Sequence, residues 1–342
     1  MVSIILPILI FITGFVLIFF GVDWAVDNAR ELIEKRNISP YILGAILLGV
    51  DIEEIIASAT AAVLQYPTIA IGNAIGNNII AMTIPLAIPV FIFRSYNVKR
   101  SPKEFTVSIS LMILSIIFAL LINNIFPNAF LIAGIVNLSL YAILSYTNIK
   151  NVKNKIIEIP LDKLDDELLG LVDLEGDEND DDIGEESKES NKKLKRRILI
   201  IIISIIMIIG GSFFLSNGLE GLVENIGIAQ HLMGYIIIAL GVNVEEFLLI
   251  YKSIKKNVTE LGMGGIIMKS AWNLGITFGI SMVIFPAVPI ATSLFTNLII
   301  FLISFIYLVF VLRKYKKLDL KLATGFLAIF IIYLFTNIFI ER

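Results

Sequence analysis

Two short stretches of this sequence place carboxylates inside long apolar segments. Residues 48–54 read Leu-Gly-Val-Asp-Ile-Glu-Glu, and residues 240–246 read Leu-Gly-Val-Asn-Val-Glu-Glu. A carboxylate inside a membrane is energetically costly and marks a functional site by default. Two carboxylates held close together bind a divalent cation, and without the cation they repel each other, so that at least one takes up a proton. The duplicated stretches therefore predict cation binding.

The spacing within each stretch identifies the side chains that share a face. Asp51 and Glu54 are three residues apart, so both lie on one face of a helix. Asn243 and Glu246 have the same spacing and share a face in the second stretch. Glu54 and Glu246 are therefore the central candidate metal ligands, and Asp51 and Asn243 are the candidates beside them.

The remaining glutamate of each stretch is Glu53 or Glu245. On a helix these side chains point about 100° away from Glu54 and Glu246, so they cannot face the same cavity directly. They are predicted either to bind the water molecules of a hydrated Mg²⁺, without contacting the metal ion directly, or to form hydrogen bonds with a neighbouring helix.

Two further apolar segments contain polar residues at a similar depth. Residues 72–78 read Gly-Asn-Ala-Ile-Gly-Asn-Asn, which predicts a broken helix whose free backbone carbonyls line a cavity. Asn73 and Asn77 are the candidate ligands in this run. In a second segment, which is rich in glycine, Lys269 and Asn273 are four residues apart and face the same site. Alternatively, these asparagines join neighbouring helices by hydrogen bonds.

The composition restricts both the class of protein and the kind of metal ligand. The chain has 342 residues, of which 57% are hydrophobic and 17% charged, with a mean hydropathy of +0.88. Soluble domains carry about 25% charged residues, so the composition predicts an all-α polytopic membrane protein. Because there is no cysteine and one histidine, a bound metal must be held by oxygen, which favours Ca²⁺, Mg²⁺, Mn²⁺ or Na⁺. The sequence has no nucleophile–base set, and we expect no enzyme activity.

Ten apolar segments are long enough to cross a bilayer, since a crossing helix needs about 20 residues. They are 3–22, 40–65, 68–93, 105–123, 128–147, 197–216, 231–251, 260–286, 289–311 and 320–340. Of the 27 Lys and Arg residues, 25 fall in alternate loops, which the positive-inside rule places in the cytoplasm. Both termini are therefore predicted outside the cell membrane, and the central loop inside.

Five predicted helices lie on each side of the central loop, so the two halves have opposite orientations in the membrane. The predicted domains are a first repeat at 1–149, a cytoplasmic linker at 150–196 and a second repeat at 197–342. An inverted repeat with matching polar motifs is typical of secondary transporters. The acidic composition of the linker predicts disorder, with a low-affinity Ca²⁺ sensor as the alternative.

The polar motifs resemble a known family. A glycine, three residues and a carboxylate at 49–53, followed by Gly-Asn-x-x-Gly-x-Asn at 72–78, resemble the first alpha-repeat of the sodium/calcium exchangers. These exchangers belong to the cation/calcium antiporter superfamily. The motif resemblance covers 45–85 and 237–277, and the ten-helix layout is similar over nearly the whole chain.

The resemblance carries specific implications for individual residues. It implies that Glu54 and Glu246 are the central ion-binding carboxylates. Asn77 and Lys269 stand where the family usually has serines that help to bind Na⁺, and Asn273 stands where it has Asn or Asp near the central site. The family fold further implies that the first and sixth helices slide against the rest of the bundle during transport.

The sequence departs from the family pattern at several of these positions. Glu53 and Glu245 stand where the family has proline, and the hydroxyl residues that precede each glutamate in the family are absent. Lys269 places an ammonium where a Na⁺ would sit. Such a tethered cation would pair with Asp51, Glu53 or Glu245, and it would remove one mobile ion from the cycle.

We therefore expect a secondary antiporter that moves a divalent cation, Ca²⁺ before Mg²⁺ or Mn²⁺, in exchange for Na⁺ or H⁺. The alternatives are a channel and a non-transporting scaffold whose carboxylates are neutralised by Lys269. The expected partners are the lipid bilayer and small cations, without nucleic acid and without a cofactor, in a monomer or weak homo-oligomer.

Overall fold

The computed structural model describes residues 2–36, 38–99, 101–157, 182–226, 243–288 and 292–340. The helices of the first half are α1 (Val2–Arg36), α2 (Pro40–Leu48), α3 (Ile52–Val63), α4 (Pro67–Ala81), α5 (Ile84–Phe93), α6 (Lys103–Ile122) and α7 (Ala129–Ile157). Those of the second half are α8 (Asp182–Ile226), α9 (Val244–Lys255), α10 (Thr259–Trp272), α11 (Phe278–Ile284), α12 (Thr292–Lys314) and α13 (Leu320–Ile340). A π-helical turn, Asn273–Thr277, joins α10 to α11, and two short strands are β1 (Ser95–Asn97) and β2 (Lys317–Asp319).

Long apolar helices dominate the described part of the chain, which contains eight that could cross a membrane. The predicted all-α polytopic membrane fold is confirmed. The number of membrane-crossing helices among the described residues differs from the predicted ten for two reasons. Segment 40–65 is divided between α2 and α3, and segment 231–251 begins outside the described residues.

The prediction of one continuous helix over 40–65 is wrong, because the helix breaks at the first acidic stretch. Gly49 ends α2, and Asp51 is the N-cap of α3, where its side chain accepts a hydrogen bond from the Glu54 backbone N–H at 3.3 Å. Trp272 Nε1 donates to the Asp51 carbonyl at 2.8 Å and so satisfies a backbone acceptor at the break. Glycine after a helix and aspartate before one are the residues that favour such ends.

The predicted break within 72–78 is also wrong. Helix α4 runs unbroken through this polar run and ends after Ala81, two residues before the next helix begins. Pro85 lies in the first turn of α5, where proline is tolerated because it needs no hydrogen-bond donor. Gly76 has a packing role instead, since a Cβ there would lie 2.6 Å from the Tyr333 hydroxyl.

Helices α1 and α8 pack closely along each other through glycines. A Cβ on Gly211 would lie 2.9 Å from the Gly14 carbonyl oxygen, and one on Gly218 would lie 2.7 Å from Phe11 Cα. Small residues that allow backbones to approach are typical of helix pairs in membranes. Ion pairs also join α1 to the end of α9, with Asp23 Oδ1 2.9 Å from Nζ of Lys252 in α9 and 2.8 Å from Nζ of Lys256, the residue after α9.

The two short strands join two loops of the bundle. Strands β1 and β2 pair antiparallel, with Tyr96 opposite Leu318. Both loops are predicted to be cytoplasmic, and the pairing places them on the same side of the bundle. The strands themselves were not predicted, because three-residue elements leave no periodic pattern.

The predicted linker 150–196 is helical at both described ends. Helix α7 continues to Ile157, and α8 begins at Asp182. The disorder predicted for the linker therefore does not apply to these ends, and the acidic residues at 158–181 lie outside the described residues. The division into 1–149, 150–196 and 197–342 stays a prediction.

Helices α2 and α10, which come from opposite halves, make a close backbone contact through glycines. A Cβ on Gly44 would lie 2.8 Å from the Leu261 carbonyl carbon, and one on Gly264 would lie 2.8 Å from Tyr41 Cα. These glycines explain the glycine-rich start of the segment that carries Lys269.

Replacing Gly264 by alanine is expected to lower the free energy of unfolding by about 1–3 kcal/mol, because the added methyl group forces α10 away from α2. The measurement is the unfolding midpoint of the purified protein in detergent. Gly210→Ala on α8 is the matched control, since a Cβ there meets open space. Equal midpoints for both variants would contradict the expected clash.

Candidate functional site

The polar side chains of the two acidic stretches meet in the interior between α3, α4, α9 and α10. Asp51 and Glu54, at the start of α3, are 8% and 5% exposed. Glu246, in the first turn of α9, is 1% exposed, and Lys269 on α10 is 4% exposed. Buried charges require partners, because the interior provides no water to solvate them.

Glu54 is held by amide donors from α4. Asn77 Nδ2 donates to Glu54 Oε1 at 2.7 Å, and Asn73 Nδ2 donates to the other carboxylate oxygen. Asn73 Nδ2 also contacts Ser58 Oγ at 3.0 Å. Hydrogen bonds from neutral donors stabilise the ionised form of a carboxylate. Each oxygen of this buried carboxylate therefore has an amide donor from α4.

Asn77 connects the two halves of the chain. Its amide nitrogen is 3.5 Å from Asp51 Oδ2, and its amide oxygen accepts a hydrogen bond from Asn243 Nδ2 at 3.1 Å. Asn243 is the residue before α9, in the position that Asp51 occupies before α3. The matching positions agree with the sequence repeat.

Lys269 forms a second connection between the halves. Its ammonium Nζ is 3.0 Å from Asp51 Oδ2, and it donates a hydrogen bond to Glu246 Oε1. The pairing with Asp51 is one of those considered from the sequence. The pairing with Glu246 was not anticipated, because Glu246 was assigned to the metal ion alone.

The other predicted site residues lie apart from these contacts or outside the described side chains. Glu245 Oε2 accepts a hydrogen bond from Ser212 of α8 at 2.9 Å. Asn273 Nδ2 donates to Asn78 Oδ1 of α4 at 3.4 Å, and Asn273 Oδ1 accepts a hydrogen bond from Thr277 Oγ1 at 3.4 Å, so neither of these contacts is with a carboxylate. The side chain of Glu53 lies outside the described part of the chain.

Three residues that the sequence analysis did not select contact the site. Ser58 bonds to Asn73, Ser212 bonds to Glu245, and Trp272 bonds to the Asp51 carbonyl. The spacing in the sequence could have identified Ser58, because Ser58 is four residues after Glu54 and therefore lies on the same helix face. The other two come from distant segments, and no spacing in the sequence points to them.

The site is a mixture of carboxylates, amides and an ammonium. Over the residues whose positions are described, no three Asp, Glu or His side chains approach closely enough to hold a metal ion among themselves. A cation bound here would therefore combine carboxylate oxygens with amide or backbone oxygens, which are the ligands that hard cations accept.

Comparison with known proteins identifies the family. The model of the sodium/calcium exchanger protein family matches residues 6–150 and 197–339. The uncharacterized membrane protein MJ0091 of Methanocaldococcus jannaschii is 24% identical over 328 residues, which cover 94% of this chain and 95% of that protein. The sodium/calcium exchanger MaX1 of Methanosarcina acetivorans is 34% identical over 73 residues, or 21% of each chain.

Solved structures show the same fold. The sodium-calcium exchanger NCX_Mj soaked with 10 mM Na⁺ and zero Ca²⁺ has a TM-score of 0.70 at 22% identity, over 96% of this chain and 98% of that chain. The same exchanger soaked with 10 mM Na⁺ and 10 mM Sr²⁺ also has a TM-score of 0.70, over 96% and 97% of the two chains. The likeness confirms the predicted fold class of ten helices in two inverted repeats. With its family model matched on both sides of the linker, this chain belongs to the sodium/calcium exchanger protein family of membrane transporters.

Proposed function

We propose that this chain is a secondary antiporter that moves a divalent cation, Ca²⁺ in the first place, out of the cell in exchange for Na⁺ or H⁺. The observation that carries the proposal is the second carboxylate oxygen of Glu246. Oε2 is buried and accepts no hydrogen bond from any described residue. Because a buried polar atom without a partner is destabilising, this oxygen favours a bound cation as its partner.

The formal charge of the site supports a divalent ion. If only the carboxylates that contact Lys269 or the amides of α4 are counted, and all are ionised, Asp51, Glu54 and Glu246 contribute three negative charges and Lys269 contributes one positive charge. One divalent cation neutralises the remainder. Ca²⁺ accepts six to eight oxygen ligands in flexible geometry, whereas Mg²⁺ keeps several waters, so a buried site of carboxylates and amides suits Ca²⁺ better.

The counter-ion is inferred from the ligands that are present. Ser and Thr hydroxyls, which the family uses for Na⁺, are replaced at the acidic stretches by Val50, Asp51, Val242 and Asn243. Carboxylates can exchange a metal ion for protons, because they must be deprotonated to bind the metal. The ligand set therefore favours H⁺ over Na⁺.

The test is ⁴⁵Ca²⁺ uptake into proteoliposomes that contain the purified protein. We expect an imposed pH gradient to drive uptake, and an imposed Na⁺ gradient to drive it less. Mg²⁺ and Mn²⁺ are then offered as competitors to rank the divalent ions. Absence of coupled uptake of all three divalent ions under both gradients would contradict the proposed antiport.

A second candidate function, a scaffold that does not transport ions, is favoured by the ion pairs of Lys269. Its ammonium already contacts Asp51 and Glu246, and in a scaffold these contacts would be permanent, so neither carboxylate would be available to a mobile cation. A scaffold would bind no ion, whereas a channel of the same fold would show flux that does not depend on a counter-ion. The proteoliposome assay separates both from the antiporter.

Replacing Asn77 by leucine is expected to weaken divalent-cation binding by about 10–100-fold, the usual effect of losing a group that orients a metal ligand. Asn77 donates to Glu54 and accepts from Asn243, so its loss frees two site residues at once. The measurement is the cation concentration that gives half-maximal uptake.

The matched control for this prediction is Asn337→Leu. Asn337 forms a buried amide pair with Asn297, with reciprocal hydrogen bonds of 3.0 Å, between α12 and α13. This variant loses comparable buried hydrogen bonds and should retain the wild-type half-maximal concentration. A shift of similar size in both variants would show a general effect of destabilisation and would contradict a role for Asn77 at the ion.

A further inference from the structure

We propose that Lys269 is a built-in cation that permanently occupies one ion position of the site. This inference rests on the proposed antiport. For each divalent ion transported, this chain would then exchange one monovalent cation fewer than the same site would exchange without the lysine. Lys269 would therefore determine the ratio of the exchanged ions.

The ammonium of Lys269 lies where a mobile cation would bind. Nζ contacts a carboxylate from each half of the chain, with Asp51 Oδ2 at 3.0 Å and a hydrogen bond to Glu246 Oε1. Carboxylate oxygens contributed by two different elements are also ligands that a monovalent metal ion accepts. The ammonium thus takes the place, the charge and the ligands of a mobile cation.

Lys269 cannot leave this position for water. Its side chain is 5% exposed, and all residues from Leu261 to Ala271 on α10 are buried. A lysine near a helix end can extend its ammonium to the membrane surface, but Lys269 is ten residues after the start of α10 at Thr259, or about 15 Å along the axis. The cation is therefore tethered inside the protein.

Removing Lys269 changes the net charge of the site. Without Lys269, the carboxylates Asp51, Glu54 and Glu246 would leave one negative charge beyond what a divalent cation neutralises. An uncompensated buried charge is strongly unfavourable, so the vacated space should recruit a small cation. This expectation makes the proposal testable by substitution.

The experiment compares wild type with Lys269→Ala, which opens a space at the ammonium. Unfolding midpoints are measured with added NaCl, methylammonium chloride or N-methylglucamine chloride at equal ionic strength. We expect Na⁺ and methylammonium, but not the larger N-methylglucamine, to raise the midpoint of Lys269→Ala. Adding Glu246→Gln to this variant should abolish the effect, because it removes one of the ligands.

The matched control is Lys252→Ala. Lys252 is also buried, with a side chain that is 7% exposed, and it pairs with Asp23 at 2.9 Å away from the site. Its loss should lower the midpoint without making the midpoint depend on the size of the added cation. The control separates a cation position from the general loss of a buried ion pair.

The second measurement is the ratio of monovalent to divalent ions in proteoliposomes, from simultaneous fluxes of ⁴⁵Ca²⁺, ²²Na⁺ and H⁺. We expect the ratio in Lys269→Ala to exceed the wild-type ratio by one, and the ratio in Lys252→Ala to equal it. An unchanged ratio in Lys269→Ala would overturn the inference, as would a midpoint that no small cation raises. If the wild type moves no divalent ion, the proposed antiport fails, and the unfolding midpoints alone decide whether Lys269 occupies a cation position.

Discussion

Replacement of Glu54 by glutamine is expected to reduce divalent-cation exchange by at least about 100-fold. Loss of a group that only orients a metal ligand costs about 10–100-fold in affinity, so loss of a direct ligand should reach the upper end of that range. In Glu54→Gln the carboxylate charge is lost, and one of its two oxygens becomes an NH₂ group. Since Asn73 and Asn77 both donate to this carboxylate, one of them would then face another donor.

The measurement is the initial rate of ⁴⁵Ca²⁺ uptake at fixed driving gradient. Glu104→Gln is the matched control, because Glu104 is an exposed carboxylate in the first turn of α6. It should retain the wild-type rate. If Glu54→Gln takes up ⁴⁵Ca²⁺ at the wild-type rate, ion binding at Glu54 is contradicted. If neither the wild type nor Glu54→Gln binds an ion, the scaffold is favoured instead.

The sequence contained enough information to bring most of the candidate site together. Carboxylates at membrane depth are rare, and the repetition of the motif around Glu54 and Glu246 made a shared site the simplest interpretation. The structure places Asp51, Glu54 and Asn77 in mutual contact, and it joins them to Asn243. Whether these side chains bind an ion stays a prediction, to be decided by the transport measurements.

The helix breaks were misplaced because hydropathy cannot separate a continuous helix from two short ones with an apolar connection. Gly49 and Asp51 carry the local signals of a helix end and an N-cap, whereas the spacing of Asp51 and Glu54 predicts a shared face within one helix. The helix break affects the candidate site, because the Asp51 side chain accepts a hydrogen bond from the backbone of its own helix and also forms an ion pair with Lys269. The polar run of α4, in contrast, finds its partners on other helices and leaves its own backbone helical.

The partners of Lys269 could be only partly predicted. Helical spacing showed that Lys269 and Asn273 share a face of their helix, yet Lys269 contacts carboxylates and Asn273 contacts α4. Asn273 is also the first residue of a π-helical turn, so the regular α-helical spacing ends there. A long flexible side chain such as lysine can reach several acceptors, and the choice between Glu245 and Glu246 depends on the packing of α9 against α10.

Replacement of Lys269 by methionine is expected to destabilise the protein by about 3–5 kcal/mol, the usual effect of removing one partner of a buried ion pair. Methionine keeps most of the side-chain volume, so the change removes the charge without opening a large cavity. Asp51 and Glu246 would then remain close together without the ammonium between them. The measurement is the free energy of unfolding in detergent without added small cations, with Lys255→Met, at an exposed position on α9, as the control.

The origin of this loss can be tested by removing the negative charges as well. In the triple variant Lys269→Met, Asp51→Asn, Glu246→Gln, the ammonium and the two carboxylates that contact it are all replaced by neutral groups. Replacing a buried set of paired charges by neutral groups is often close to neutral in stability. We therefore expect the triple variant to be more stable than Lys269→Met alone, although it carries two further substitutions. If the stability losses of the three single substitutions simply add up in the triple variant, this expectation is contradicted. Stability losses are additive at independent sites but not among members of one charge network. The Coulombic contacts of Lys269 would then contribute little, and its side chain would stabilise the interior through packing of its apolar stem.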